Sequence, residues 1–199
     1  ILAALLLPAL SRAKASAQTI ACANNVRQIR LALGLYLTDN DSQMPTREAF
    51  TNRWPTQLQP HYANLKLLGC PADPEVNKAV ATTNAAPDTA ARSYLMNGFQ
   101  DALLDMFGGA PPPKGVPLPA LRESVIARPA DTILSGEKAS ASSQFYLVLA
   151  ADASQYLADL EESRHGSTLG LSSKSGSSNY AFGDGSVRVV RYGQSLCPL

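Results

Sequence analysis

The sequence predicts an α+β protein, a long N-terminal α-helix packed against an antiparallel β-sheet with long loops. Three observations carry this. Residues 11–39 hold no proline, one glycine (Gly34), and mostly Ala, Leu, Arg, Gln and Lys, which are good helix formers. The middle of the chain is rich in Pro and Asn and contains only short apolar pieces. The last third carries alternating β-like runs on both sides of Asp184-Gly185, a hairpin signal. Helix first and strands afterwards is the α+β order.

The helix has three environments along its length. Ile1, Leu2, Leu5, Leu6, Leu7 and Leu10 make its start apolar all round, with Pro8 inserted where a kink or a lost hydrogen bond is expected. This run is too short to span a bilayer, which takes about 20 apolar residues. It reads as the end of a signal-peptide core, a buried helix, or the second half of a longer membrane segment. With no initiating Met, the chain is expected to be a processed or truncated product. Arg12 and Lys14 follow the apolar run, as basic residues do at a membrane edge. From Cys22 on, Val26, Ile29, Leu33, Tyr36 and Leu37 recur at steps of three and four, giving one apolar face opposite Asn24, Arg27, Arg30 and Thr38. A helix of ~39 residues spans ~58 Å at about 1.5 Å per residue, longer than a domain of this size is wide. Part of it must protrude. The expected division is a protruding half over 1–20 and a globular domain over 21–199. The helix is expected to end at Asp39-Asn40-Asp41-Ser42, with Pro45 barring continuation.

Residues 43–92 predict loops with one or two short helices, and Cys70-Pro71-Ala72-Asp73-Pro74 reads as a turn. The stretch 77–91 reads as a loop or a weak helix. Strands are expected over 92–97, 130–135 and 144–151, with a short helix over 121–126. Gly108 to Pro119 is an exposed loop by its Pro and Gly content. The hairpin spans Asn179 to Tyr192, with Asp184-Gly185 expected as a type I′ turn.

Seventeen basic against sixteen acidic residues leave a net charge of +1, without the clustered Lys and Arg of a nucleic-acid binder. Motifs for acyl transfer, zinc proteolysis, phosphate cradling and dithiol redox chemistry are absent. Cys22, Cys70 and Cys197 lack a zinc spacing; they give one bridge plus a leftover in an oxidising compartment, or buried free thiols. The two histidines, His61 and His165, exclude a His-rich metal site. His165 and Asp184 are the most interesting polar pair, readable as a metal or acid–base site. The simpler reading is a turn aspartate and a histidine pinning a loop. No metal or other cofactor is expected. Calcium on Asp39, Asp41 or Asp184 is the alternative, although the first two more simply cap the helix.

With these pieces placed, the sequence resembles the type IV pilin-like proteins. Ile1 to Ala15 looks like the back half of their N-terminal helix, and Pro8 matches its kink proline. Cys22-Ala-Asn-Asn-Val-Arg-Gln-Ile, Tyr36-Leu-Thr-Asp-Asn-Asp, Cys70-Pro-Ala-Asp, Ser93-Tyr-Leu-Met-Asn and Asn179-Tyr-Ala-Phe-Gly-Asp-Gly-Ser-Val resemble landmarks of one subgroup. It is the pseudopilin-like group of planctomycetes and verrucomicrobia, with a His-to-Asp-Gly signature near the C-terminus, here His165, Asp184 and Gly185. Two departures stand out. Eighteen residues separate His165 from Asp184, more than is usual in the group, so Ser172 to Ser178 reads as a loop extension; and Ser186 stands where a His often follows.

The resemblance implies a pilin-like fold and a structural, non-enzymatic subunit of a type II secretion or type IV pilus-like filament. The implied location is the inner membrane, single-pass through a segment preceding Ile1, with the domain in the periplasm or on a surface filament. The implied partners are sister subunits and the secretion or pilus assembly machinery. It also implies a Cys22–Cys70 disulfide, closing a loop of about 48 residues worth about 4 kcal/mol, with Cys197 unpaired or bridging subunits. The alternative function is a membrane-tethered binding module that does not polymerise, using the loops Gly108–Pro119 and Ser172–Ser178.

Overall fold

The first element, α1, runs from Leu2 to Asp39 and continues through Pro8. The computed structural model describes residues 2–47, 51–62, 64–80, 86–111, 118–148, 158–166 and 175–195, the side chains of 2–5 and 78–80 excepted. Ile1 and the side chains of Leu2 and Leu5 therefore lie outside the described residues, as do Cys197 and residues 112–117 and 172–174 of the two loops assigned above to ligand binding. α1 stops where the sequence says it should. Asn40 Nδ2 donates to the Tyr36 carbonyl at 2.8 Å, and Ser42 N–H donates to the Leu37 carbonyl at 2.8 Å. Asp41 and Ser42 both take left-handed backbone, with φ of 52° and 59°. The carbonyls of Tyr36 and Leu37 in the last turn are thereby satisfied.

Residues 6–17 of α1 are exposed throughout. The first tie to the domain is Gln18, whose Nε2 donates to the Pro71 carbonyl at 3.0 Å. From Cys22 onward the expected stripe is buried except at Tyr36, which is half-buried: Cys22, Val26, Ile29, Leu33 and Leu37, joined by Ala32, enter a core with Trp54, Leu58, Leu68, Tyr94, Leu134 and Ala181. Each large aliphatic side chain buried there contributes about 1.5–3 kcal/mol. Arg30, expected on the wet face, is half-buried; its guanidinium donates to the carbonyls of Phe182 and Gly183 at 3.3 and 3.0 Å, tying the sheet's far end to α1. Among the described residues no helix is long and apolar enough to cross a membrane.

Five strands form one sheet: β1 (Tyr94–Asn97), β2 (Ile133–Glu137), β3 (Tyr146–Leu147), β4 (Ser177–Phe182) and β5 (Val187–Arg191), ordered β3-β1-β2-β4-β5. α1 packs against β2, β4 and β5. The sheet is mixed rather than antiparallel, since β3 pairs parallel to β1, with Met96 opposite Tyr146. The reason is topological. β3 follows β2 in the chain but pairs on the far edge of β1, so it runs opposite to β2 and in the same direction as β1. The strand expected over 144–151 is ordered as strand only at Tyr146–Leu147, and residues 149–157 lie outside the described residues. The helix expected over 121–126 is one 3-10 turn, Glu123–Val125.

The β4–β5 hairpin forms as expected but not through a type I′ turn. Of its tip residues only Gly185 has positive φ, at 86°. Gly185 N–H donates to the Phe182 carbonyl at 3.1 Å, and Phe182 N–H to the Ser186 carbonyl at 2.9 Å. This is the three-residue loop in which a single left-handed residue follows a type I turn.

Candidate functional site

Four side chains from four segments converge where α1 enters the domain. Cys22 is the first fully buried residue of α1, and Cys70 lies in the turn that precedes α3 (Pro74–Val80). Glu137 ends β2, and His165 precedes β4, bridged to its first residue by a pair of backbone hydrogen bonds with Ser177 at 2.9 and 2.8 Å. Their ligand atoms all lie within 4.8 Å of one another, and all four residues are buried.

Two glycines let these segments close. Gly136 faces Tyr180 across the β2–β4 pair, where a Cβ would meet the ring at 2.3 Å. Gly176 has φ of 119°, and a Cβ there would meet the carbonyls of His165 and Ser163 at 2.9 and 3.0 Å. A side chain at either position would push Glu137 or His165 off its mark.

Glu137 is the hub. Its Oε1 accepts from Cys22 Sγ at 2.9 Å, lies 2.9 Å from His165 Nε2, and accepts from Asn179 N–H and Nδ2 at 3.1 and 3.0 Å. Its Oε2 lies 3.0 Å from Arg164 Nε, an ion pair whose atoms are not aligned as a hydrogen bond. Arg164 also pairs with Asp73 at 2.8 Å and donates to the Lys138 carbonyl. Asp73 Oδ2 in turn accepts from Ser93 Oγ at 2.9 Å, and Ser93 Oγ receives Cys70 N–H at 2.9 Å. The side chains of Glu137, Arg164 and Asp73 are wholly buried. Charges so placed hold only as a mutually satisfied set.

The electrostatics divide the two thiols. Burial above all pushes the Cys22 thiol up, so it keeps its proton. Cys70 is pushed down to about 6, chiefly by the hydrogen bond from Cys22 against the cost of burial, with His165 adding to it. Ala72 N–H points at the same sulfur at 3.4 Å. Burial disfavours the His165 imidazolium, but hydrogen bonds to Cys70 and Glu137 outweigh it and raise the group to about 9. Glu137 is lowered because His165 and Arg164 overcome its burial. The four side chains thus form one coupled hydrogen-bonding cluster, in which the Cys22 thiol is held up and Cys70 held down.

The structure brings together Cys22 and Cys70, the pair the resemblance links by a disulfide, as two free thiols. It does not join His165 to Asp184. His165 sits beside the first residue of β4 and Asp184 beyond its last, a strand of six residues and about 20 Å apart. The exposed Asp184 carboxylate serves its own turn, accepting from Ser186 N–H at 2.9 Å and pairing with Arg188 at 2.8 Å. Asp39 Oδ2 lies 3.8 Å from His61 Nδ1, and Asp41 occupies the turn after α1. Neither those two nor Asp184 joins a group of possible metal ligands among the described residues. Arg12 and Lys14 are exposed, and Arg12 Nε donates to the Pro8 carbonyl at 3.4 Å.

Sequence reasoning missed Glu137, Arg164, Asp73 and Asn179. Asp73 and Asn179 stand inside landmark stretches, and Arg164 adjoins His165, so each had a flag beside it. Glu137 had none, since an acid ending a strand is ordinarily solvated. Comparison of the chain with protein-family models, with curated proteins and with solved structures finds no match.

Proposed function

We propose that this chain is a structural, non-enzymatic pilin-like subunit that polymerises through α1. The observation supporting it is the division of that helix. Leu6, Leu7 and Leu10 are 65–68% exposed on a projecting half, while the other half is built into the core. Ile20, Leu31 and Leu35 add an exposed apolar outer face lower down. An apolar surface this long on one helix marks an interaction with lipid or with other helices. Sister copies provide such helices, and Arg12 and Lys14 would sit where the apolar run meets a membrane surface or a neighbouring subunit. The partners in this reading are sister subunits, the inner membrane and a secretion or pilus assembly apparatus, with the domain outside the cytoplasm.

The test is electron microscopy of the full-length gene product expressed in its own cells, beside a Leu7→Asp variant. Filaments that carry the protein and vanish in the variant are expected. A protein that stays monomeric in membranes and is unaffected by Leu7→Asp rejects polymerisation.

One observation favours the tethered binding module instead. A cavity of about 640 Å³ is lined by Arg47, Arg53, Arg92, Asp88, Phe145 and Tyr146, with the Arg53 and Arg92 guanidinium groups 4.1 and 3.2 Å from the Phe145 ring centre. Burial, reinforced by Arg53, lowers Arg92 to about 10, so it remains charged at neutral pH. Such a cavity suits a carboxylate or phosphate ligand. Saturable binding of a small anion by a non-polymerising chain, lost in Arg92→Gln, would decide for this second reading.

A further inference from the structure

We propose that Cys22, Cys70, Glu137 and His165 form a closed, four-ligand site for a structural zinc ion that locks α1 to the sheet. The donor set is two sulfurs, one imidazole and one carboxylate, which is zinc chemistry rather than that of calcium or magnesium. Zinc bonds of about 2.0–2.3 Å in a tetrahedron place donors about 3.3–3.8 Å apart. The edge between Cys70 Sγ and His165 Nε2 is already 3.8 Å. The Cys22–Glu137 and His165–Glu137 edges are 2.9 Å, the separation of hydrogen bonds with their shared protons. An ion entering the centre replaces those protons and opens both edges by less than about 1 Å, a rotamer-scale adjustment.

The surroundings of a metal site are also in place. Arg164 holds the far oxygen of Glu137, Asn179 donates twice to the near one, and Ala72 N–H supports Cys70 Sγ. Such outer partners orient ligands and raise their affinity. Burial of all four residues to 3% exposure or less leaves no open coordination position for substrate, so the ion's role is structural.

The proton balance is simple. Zinc–ligand bonds form as one proton leaves Cys22 and one leaves His165 for solvent, with no change in oxidation state. Arg164 then offsets part of the negative charge of the ligand set. A Cys22–Cys70 disulfide competes with this arrangement, since bridged sulfurs cannot ligate. It would use two of the four side chains, remove the thiol donor from Glu137, and leave the buried histidine and carboxylate without a purpose at the sulfurs.

The experiment uses the full 199-residue chain, purified in detergent without added metal or reductant. Its zinc content is measured, its thiols are alkylated with and without chelator, and Co²⁺ is exchanged into the site. Stoichiometric zinc, Cys22 and Cys70 that alkylate only after chelation, and the thiolate charge-transfer and visible bands of tetrahedral Co²⁺ are expected. These signals should be lost in Cys70→Ser and His165→Gln and kept in Cys197→Ser. A Cys22–Cys70 bridge in the isolated protein overturns the proposal. So does folded, reduced wild-type chain that retains no zinc and gives no cobalt–thiolate absorbance, a measurement that needs no variant to fold. A cobalt spectrum that survives Cys70→Ser in a folded variant overturns the ligand assignment.

Discussion

The two halves of α1 are made from similar residues and meet opposite fates. Leu6, Leu7 and Leu10 are 65–68% exposed, whereas Val26, Ile29 and Leu33 are at most 2% exposed. Apolar content does not separate them; its arrangement does. In the second half the apolar residues recur every three or four positions, so one sheet face can cover the stripe. In the first half they point in every direction, and no single sheet can cover a helix on all sides. The contrast teaches where the domain ends: at Gln18 and Thr19, whose bonds to Pro71 and Asn179 tie α1 to loop and sheet.

The largest way to break this contrast is through the charges beneath Cys22. Arg164→Leu leaves Glu137 and Asp73 buried beside each other without their shared cation, and should destabilise the domain by about 3–5 kcal/mol. Urea unfolding measures the loss. Hydrogen exchange should show residues 22–37 becoming nearly as labile as 6–17; unchanged protection there would separate the cluster from helix docking.

A smaller, sharper test compares matched leucines. Leu33→Ala opens a cavity in the core and should cost about 2–5 kcal/mol in thermal or urea unfolding. Leu7→Ala should change domain stability by no more than about 0.5 kcal/mol, because its side chain is 66% exposed. Equal costs for the two would show that the projecting half has a partner within the chain.

The smallest effect is expected far from both halves, at the hairpin tip. Hydrogen bonds from Ser186, then Arg188, hold the Asp184 carboxyl below the usual carboxylate range. A group depressed on folding stabilises above its unfolded pKa, and that contribution fades as pH falls through the folded value. Asp184→Asn should therefore lower stability slightly at neutral pH, with the difference from wild type vanishing in acid. A difference that grows on acidification would contradict this.

Legibility followed locality. The stripe from Cys22 to Leu37 was readable because helical period is written in neighbouring residues, and the β4–β5 hairpin because Gly185 carries the left-handed conformation its loop needs. The turn type was not readable, since Asp-Gly serves both a two-residue and a three-residue loop. His165 was paired with Asp184 in the sequence reading. Asp184 was the visible acid near it in sequence, whereas Glu137 reaches it across the sheet.

The sequence by itself determined the C-terminal end of α1, the face it buries, the apolar run it leaves over, and the hairpin. All of these follow from spacing within one segment. Tertiary structure alone decided that β3 runs parallel to β1, because that depends on which edge of the sheet the chain reaches after β2. It also decided that positions 22, 70, 137 and 165 meet around one carboxylate. No spacing along the chain encodes that meeting. It arises only when helix, turn, strand and loop close on one another, and a buried acid must then find every donor within reach.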